Sequence, residues 1–245
     1  VRDAVEALDA DLGVVVASGA LIPPAVLDMP RFGWVNLHFS DLPRWRGAAP
    51  VQWAVLSGDP TTASCVFALE EGLDTGPVYS REPFTIGHET SGELLDRMAA
   101  AGGAQVLACV DSLAAGTARA TAQSDAGATR ARRLTAADGY VSFDEDAQAT
   151  DRRVRAVIPN PGAWTLGPGG GRIKLGPLTP AEDRGLGAGQ VEAGKRDVHV
   201  GCAQGCVRLG SVAPAGKGWM DAAAWARGAR LAPGARMGGA EGAPR

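Results

Sequence analysis

Apolar positions along the chain switch between a helical and a strand period, and the switching outlines the fold. Residues 2–10 (RDAVEALDA) set Val5 and Leu8 on one side of a short helix. The LGVVVASG that follows is a compact β-branched run closed by glycine, which predicts a buried parallel strand. PPAVLD places prolines in a first helical turn, WVNLHF reads as a second strand, and GAAPVQWAVLSGD reads as a helix with Pro50 near its start and Gly58 past its end. TTASCVFAL and PVYSREPF read as two more strands joined by the turn EEGLDTG. In HETSGELLDRMAAAGGAQVLACVDSLAAG, Thr90 and Glu93 have capping-box spacing and Leu94, Leu95, Met98, Val106, Val110 and Leu113 recur helically. Gly116 stops that run, and the pair Gly102-Gly103 offers a place to bend it.

From Thr117 to Arg132 large apolar side chains almost vanish, so this stretch cannot pack a core and is expected to be a linker. The chain therefore divides into an α/β domain over 1–116, a linker over 117–132 and a second domain over 133–245. In the second domain RLTAADGYVSFDEDAQATDRRVRAVIPNPGAW predicts a strand and a helix, and AWTLGPGGGRIKLG predicts two strands around a glycine-rich turn. GPGGGR resembles a phosphate loop in composition only, because RIKLG rather than a helix follows it. GQVEAG and DVHVGCAQGCVRLGSVAP continue as short strands, the pattern of a small β-barrel. The tail from Asp221 carries a short helical piece and then a segment expected to be disordered.

Composition narrows the class. With 245 residues and 45% hydrophobic content there is material for one sizeable core or two modest ones. No run is long enough to span a membrane, and VRDAVEALDADLG lacks the layout of a signal peptide, so a cytoplasmic protein is expected. Cys65, Cys109, Cys202 and Cys206 are read as free buried thiols rather than as disulfides or a metal site. Charge is divided unevenly: residues 1–131 hold eight arginines against sixteen carboxylates, and residues 132–245 hold sixteen basic against eleven acidic side chains. A basic second half suits a polyanion partner, and an arginine-rich surface of no function explains it equally well.

Candidate chemistry centres on the first of three histidines. In a strand, Asn36, His38 and Ser40 share one face while Val35, Leu37 and Phe39 take the other. At the C-terminal edge of a parallel sheet such a row faces the crevice where open α/β sheets bind ligands. An amide and an imidazole at a strand end can equally serve only to satisfy backbone groups. Asp74 sits between glycines in EEGLDTG, where backbone freedom allows a carboxylate to reach an imidazole, although aspartate in such a turn is often just a turn former.

NLHFSDLPRWRGAAP followed by EEGLDTG resembles the active-site sequence of formyltransferases that use 10-formyltetrahydrofolate. LPRWRGAAPVQWAVLSGD and GLDTG are similar to the methionyl-tRNA formyltransferases more than to the glycinamide ribonucleotide or nucleotide-sugar branches. The likeness extends through TSGELLDRM, RVRAVIPNPGAW, IKLGP and PAGKGWM. It implies a Rossmann-like formyltransferase domain, a linker, and a C-terminal OB-like barrel that helps hold methionyl-tRNA. It also implies further strands ahead of Val1, a monomeric enzyme and no metal. The positions that match its catalytic set are Asn36, His38 and Asp74, and its tetrahydrofolate contact falls on Ser40, Asp41, Leu42 and Pro43. Asp41 stands where relatives usually have leucine and adds a charge beside that loop. A related formyltransferase acting on a sugar nucleotide or small amine, and a non-catalytic tRNA- or folate-binding fragment, are the competing readings.

Formyl transfer builds negative charge on the formyl oxygen as an amine attacks, and Asn36 can donate to it. His38 can donate to the same oxygen or move a proton, with Asp74 expected to orient the ring and raise its pKa. Arg44 and Arg46 either bind phosphate or lock the loop around Trp45, and Trp45 either stacks on a ring or packs the loop. Arg152, Arg153, Arg155, Arg172, Lys174 and Lys217 are the phosphate-contact candidates of the second half.

Overall fold

The β-branched runs become the strands of a mixed sheet. The computed structural model describes residues 2–17 and 22–239. Two units form, the first from Val1–Ala54, Asp59–Gly87 and Glu93–Arg133 and the second from Val55–Gly58, His88–Gly92 and Leu134–Arg245. In chain order the elements up to residue 133 are α1 (Arg2–Leu8), β1 (Gly13–Val16), α2 (Pro24–Leu27), β2 (Trp34–His38), β3 (Arg46–Gly47), α3 (Pro50–Ser57), β4 (Thr61–Ala68), β5 (Val78–Thr85), α4 (Ser91–Ala114) and β6 (Arg130–Ala131). The sheet order is β1-β2-β4-β5. Only β1 and β2 run parallel, and β4 is antiparallel to both β2 and β5, so the expected parallel sheet is corrected to a mixed one. EEGLDTG explains part of this, because a short turn joins antiparallel neighbours whereas a parallel pair needs a long crossover. The expected burial of β1 also fails: it is an edge strand, with Val14 44% and Val16 51% exposed.

Helix α4 lies across one face of this sheet and runs unbroken through Gly102-Gly103. Those glycines make room rather than a bend, since a Cβ on Gly102 would stand 2.5 Å from Leu37 Cδ2. Gln105 ties the helix to β4 and β5 by accepting from Ser64 Oγ at 2.7 Å and donating to Ser80 Oγ at 3.1 Å. Strand alternation then leaves Asn36, His38, Cys65 and Phe67 on the opposite face. Residues 117–132 have little to bury, and backbone pairing holds them: Thr121 bridges to Val78, and β6 lies parallel to β3. Ala131 is their one deep anchor, packed with Trp45 and Ala54.

The second unit contains α5 (Ala147–Val157), β7 (Ala163–Leu166), β8 (Arg172–Leu175), β9 (Leu178–Ala181), β10 (Val191–Ala193), β11 (Val198–Gly201), β12 (Cys206–Leu209), β13 (Ser211–Pro214), β14 (Met220–Asp221) and α6 (Ala222–Ala229). They form two antiparallel four-stranded sheets, ordered β10-β11-β12-β9 and β14-β13-β8-β7. GPGGGR closes the β7–β8 hairpin, as its lack of a following helix requires. Two expectations are corrected. The strand expected before α5 is reduced to a single bridge between Tyr140 and Trp164. The tail is ordered through Gly239, because Met237 is buried and its N–H donates to Gly189 O while Tyr140 Oη donates to Gly239 O; residues 240–245 lie outside the described residues.

Asp146 caps α5 by accepting from Ala149 N at 2.7 Å. Replacing Asp146 with alanine leaves that N–H unpaired and lowers stability by about 1 kcal/mol, read as a shift in the urea midpoint at unchanged slope.

Candidate active site

His38 closes β2 and is almost fully buried, its ring edge meeting Phe67 at a centroid distance of 6.2 Å. Its Nε2 lies 3.0 Å from the Trp45 carbonyl oxygen. A carbonyl only accepts, so in the neutral ring Nε2 carries the hydrogen and Nδ1 is bare. Nδ1 faces Asp74 Oδ2 at 3.8 Å, which is ion-pair range and longer than a direct hydrogen bond.

The Trp45 carbonyl is aimed by a tightly tied loop. Trp45 has φ +62, a left-handed conformation that a bulky residue keeps only when its surroundings enforce it. Its N–H donates to Thr129 Oγ1 at 2.9 Å, and its indole Nε1 donates to Asp59 Oδ2 at 2.7 Å. Arg44 grips the same carboxylate with Nε at 2.7 Å and Nη2 at 2.6 Å while its guanidinium lies 4.4 Å from the Trp45 ring centroid. Arg46 donates to Gln123 and Asp125. Both arginines thus lock the loop, and Trp45 packs it, stacked on Trp53.

Asp74 occupies the turn between β4 and β5 with φ +53. Its Oδ2 accepts from Gly47 N at 2.7 Å, so the loop that aims Trp45 also holds the carboxylate. Gly47 has φ +124 and would bring a Cβ to 2.7 Å from Ala131 O, which is why only glycine fits there. Burial lowers the His38 pKa below its usual value, outweighing the Asp74 carboxylate and the Trp45 carbonyl, both of which raise it. Asp74 raises the pKa as expected, but burial outweighs it, and the ring is neutral at pH 7. Ring orientation likewise comes from the Trp45 carbonyl rather than from a direct bond to Asp74.

Asn36, His38 and Asp74 all line one cavity of about 580 Å³, whose walls include Val15, Ile22 and Leu27. Asn36 Oδ1 is buried there without a protein partner, so the amide retains an unused acceptor. The volume lies within the usual range for a small-molecule site, and apolar walls with a few convergent polar groups are what such sites present. Ser40, Asp41, Leu42 and Pro43 do not line this cavity. The Ser40 hydroxyl is buried and donates to Arg44 O at 2.6 Å, Leu42 is wholly buried in the core, and Pro43 follows a cis peptide. Asp41 is ion-paired with Arg81, whose other nitrogen donates to Leu42 O at 2.5 Å, so its charge is answered on the spot.

The Formyl transferase family model matches residues 1–110, and the Formyl transferase, C-terminal domain model matches residues 133–230. The methionyl-tRNA formyltransferase of Salinispora arenicola is 50% identical over 234 residues, covering 95% of this chain and 76% of that protein. The one from Mycolicibacterium vanbaalenii is 47% identical over 228 residues, covering 92% of this chain and 73% of that protein. The chain belongs to the methionyl-tRNA formyltransferase family. Among solved structures, HypX from Aquifex aeolicus in complex with tetrahydrofolic acid has a TM-score of 0.73 at 20% identity; the match covers 92% of this chain and 40% of HypX. WlaRD, a sugar 3N-formyl transferase, has a TM-score of 0.60 at 15% identity, covering 75% of this chain and 65% of that one. These likenesses support the Rossmann-like formyltransferase fold.

For this formyltransferase the cysteines supply no nucleophile: all four are free and buried, and burial pushes the Cys65 thiol up to about 11. No group able to hold a metal occurs among the described residues. Of the cations proposed for phosphate, Arg153 is held by Glu145 and Arg155 is buried against Asp151. Arg172, Lys174 and Lys217 stay exposed. Thr129, Asp59, Arg81 and Gln123 all shape the site and were not singled out in the sequence. They act over long sequence separations through hydrogen bonds, which no local pattern announces.

Proposed function

We propose that the chain transfers the formyl group of 10-formyltetrahydrofolate to the α-amino group of methionyl-tRNA, with Asn36, His38 and Asp74 as its catalytic residues. The observation that carries this is their convergence on one cavity, with a neutral imidazole that faces a carboxylate. Identity near one half to methionyl-tRNA formyltransferases over most of the chain supports the acceptor, and the family supports a folate-derived donor.

The residues divide the reaction as follows. As the amine lone pair attacks the formyl carbon, the carbonyl electron pair moves onto oxygen, and Asn36 donates an amide hydrogen to that oxygen. His38 accepts the proton lost by the attacking nitrogen at Nδ1, the only bare ring nitrogen, and Asp74 stabilises the resulting imidazolium. When the carbon–nitrogen bond to the donor breaks, the same Nδ1 proton is available to the departing nitrogen. The loop Ser40, Asp41, Leu42, Pro43 serves the folate site indirectly, by fixing the strand end and the Trp45 carbonyl. We assign 1–116 to catalysis, 117–132 to the linker and 133–245 to tRNA contact, with the two sheets of the second unit closing as an OB-like barrel and Arg172, Lys174 and Lys217 meeting phosphates. The enzyme acts as a monomer in the cytoplasm, where initiator tRNA is charged. Among the described residues, no helix is long and apolar enough to cross a membrane.

The test is a competition between acceptors. With 10-formyltetrahydrofolate as donor, the protein formylates methionyl-tRNA and leaves an amino-sugar nucleotide unreacted. Preference for the sugar nucleotide would overturn the acceptor assignment.

A further inference from the structure

Gln123 lies between the two regions that the family models match, in the stretch with almost no apolar side chains. Its side-chain amide is nevertheless fully engaged. Nε2 donates to Asp74 O at 2.9 Å and to Gly76 O at 2.7 Å. Oε1 accepts from Arg46 Nε at 3.2 Å and from Arg46 Nη2 at 2.9 Å. A primary amide has two donor hydrogens and two acceptor lone pairs, and all four are used. One side chain therefore joins the backbone of the turn carrying Asp74 to the strand that presents Gly47 N to Asp74 and follows the Trp45 carbonyl.

Both joined segments adopt backbone conformations that need outside support. Asp74 has φ +53, Trp45 has φ +62 and Gly47 has φ +124. Non-glycine residues remain in the left-handed region only where surrounding contacts over-determine them. For the Asp74 turn those contacts are the Gly47 N–H on the side-chain oxygen and the Gln123 amide on two carbonyls. Glycine at 76 allows close passage, since a Cβ there would overlap the Ala68 carbonyl. Arg46 is mostly buried and reaches Gln123 with two nitrogens, so Gln123 is itself held in one orientation.

We infer that Gln123 is a positioning residue for formyl transfer: its amide clamps the Asp74 turn to the Arg46–Gly47 strand and so sets the separation between the Asp74 carboxylate and His38 Nδ1. This rests on the reading of Asp74 and His38 as catalytic, and it assigns the connecting segment a part in the chemistry of the first unit. The clamp needs the two N–H donors, not merely a partner for Arg46. Glutamate keeps the acceptors for Arg46 but loses both N–H donors and adds a negative charge, so its rate tests the clamp, while the uncharged alanine variant tests the histidine titration.

The experiment compares Gln123→Ala and Gln123→Glu with the parent protein. Both variants lower kcat for methionyl-tRNA formylation roughly ten- to hundredfold, as a displaced catalytic group does, with KM little changed. Gln123→Ala also lowers the pKa of His38, followed through its imidazole NMR signals without substrate, because Asp74 is the charge that raises it and a released turn lets that charge retreat. Parent-like kcat in Gln123→Glu would overturn the inference, since Arg46 alone would then suffice, and so would an unmoved His38 titration in Gln123→Ala. So would a loss confined to melting temperature with the titration unmoved. The NMR titration needs no turnover, so it distinguishes failure of this positioning role from failure of the formyltransferase reading, which the parent protein's own assay decides.

Discussion

Asp74→Asn lowers kcat for formylation by about 10² to 10⁴-fold and moves the acid limb of the rate to lower pH instead of abolishing it. In the proposed mechanism the rate loss follows from geometry: the carboxylate faces Nδ1 of His38 at 3.8 Å, placed to stabilise an imidazolium formed as the amine gives up its proton. Asparagine retains a carbonyl oxygen for the Gly47 N–H, so the turn stays in place and only the charge is lost. The direction of the pH effect is less intuitive. Burial is the largest influence on His38 and lowers its pKa; Asp74 opposes it. Removing the opposing charge lets burial act alone, so His38 becomes still harder to protonate and the rate persists to lower pH before it declines. The substrate amine titrates identically in parent and variant, so the difference between their kcat/KM profiles isolates the histidine. An acid limb that moved upward, or a rate unchanged by the substitution, would remove Asp74 from the reaction.

How much of this was legible beforehand depended on the range of the interaction. Asn36 and His38 on one face follow from strand alternation alone, and Asp74 was found because its glycine-flanked turn is a local feature. The state of His38 was not legible. Its tautomer is set by the Trp45 carbonyl, which is aimed only because Thr129, Asp59 and Ser40 jointly hold a left-handed tryptophan. The same limit explains the folate loop. Ser40 shares strand parity with His38, yet the chain turns there and its hydroxyl is drawn to the Arg44 and Trp45 carbonyls. Asp41 looked like a stray charge until Arg81, on β5, was brought beside it. Sheet direction was misread because β-branched runs report burial and length but not orientation, and β4 to β5 is a turn rather than a crossover. Low hydrophobicity in 117–132 drew attention to what that stretch does not bury and concealed Gln123, whose contribution is polar.

Asn36→Ala separates chemistry from stability in the opposite sense to most substitutions on a central strand. Asn36 sits on β2 between β1 and β4, opposite Val15 and Phe67, where an apolar side chain would pack without penalty. A buried polar atom without a partner is destabilising by about 1–3 kcal/mol, and Oδ1 is such an atom. Truncation to alanine removes that orphan along with some packing, so the melting temperature is expected to hold or rise slightly. The rate is expected to fall by about 10² to 10³-fold, the usual consequence of deleting one donor to a developing oxyanion. KM for methionyl-tRNA changes little, because in the proposed mechanism the amide meets the formyl oxygen and not the tRNA. Thermal melts and single-turnover formylation on the same sample therefore move in different directions. If the alanine variant instead lost stability while keeping its rate, the amide would be a structural group of the strand and the oxyanion would need another donor.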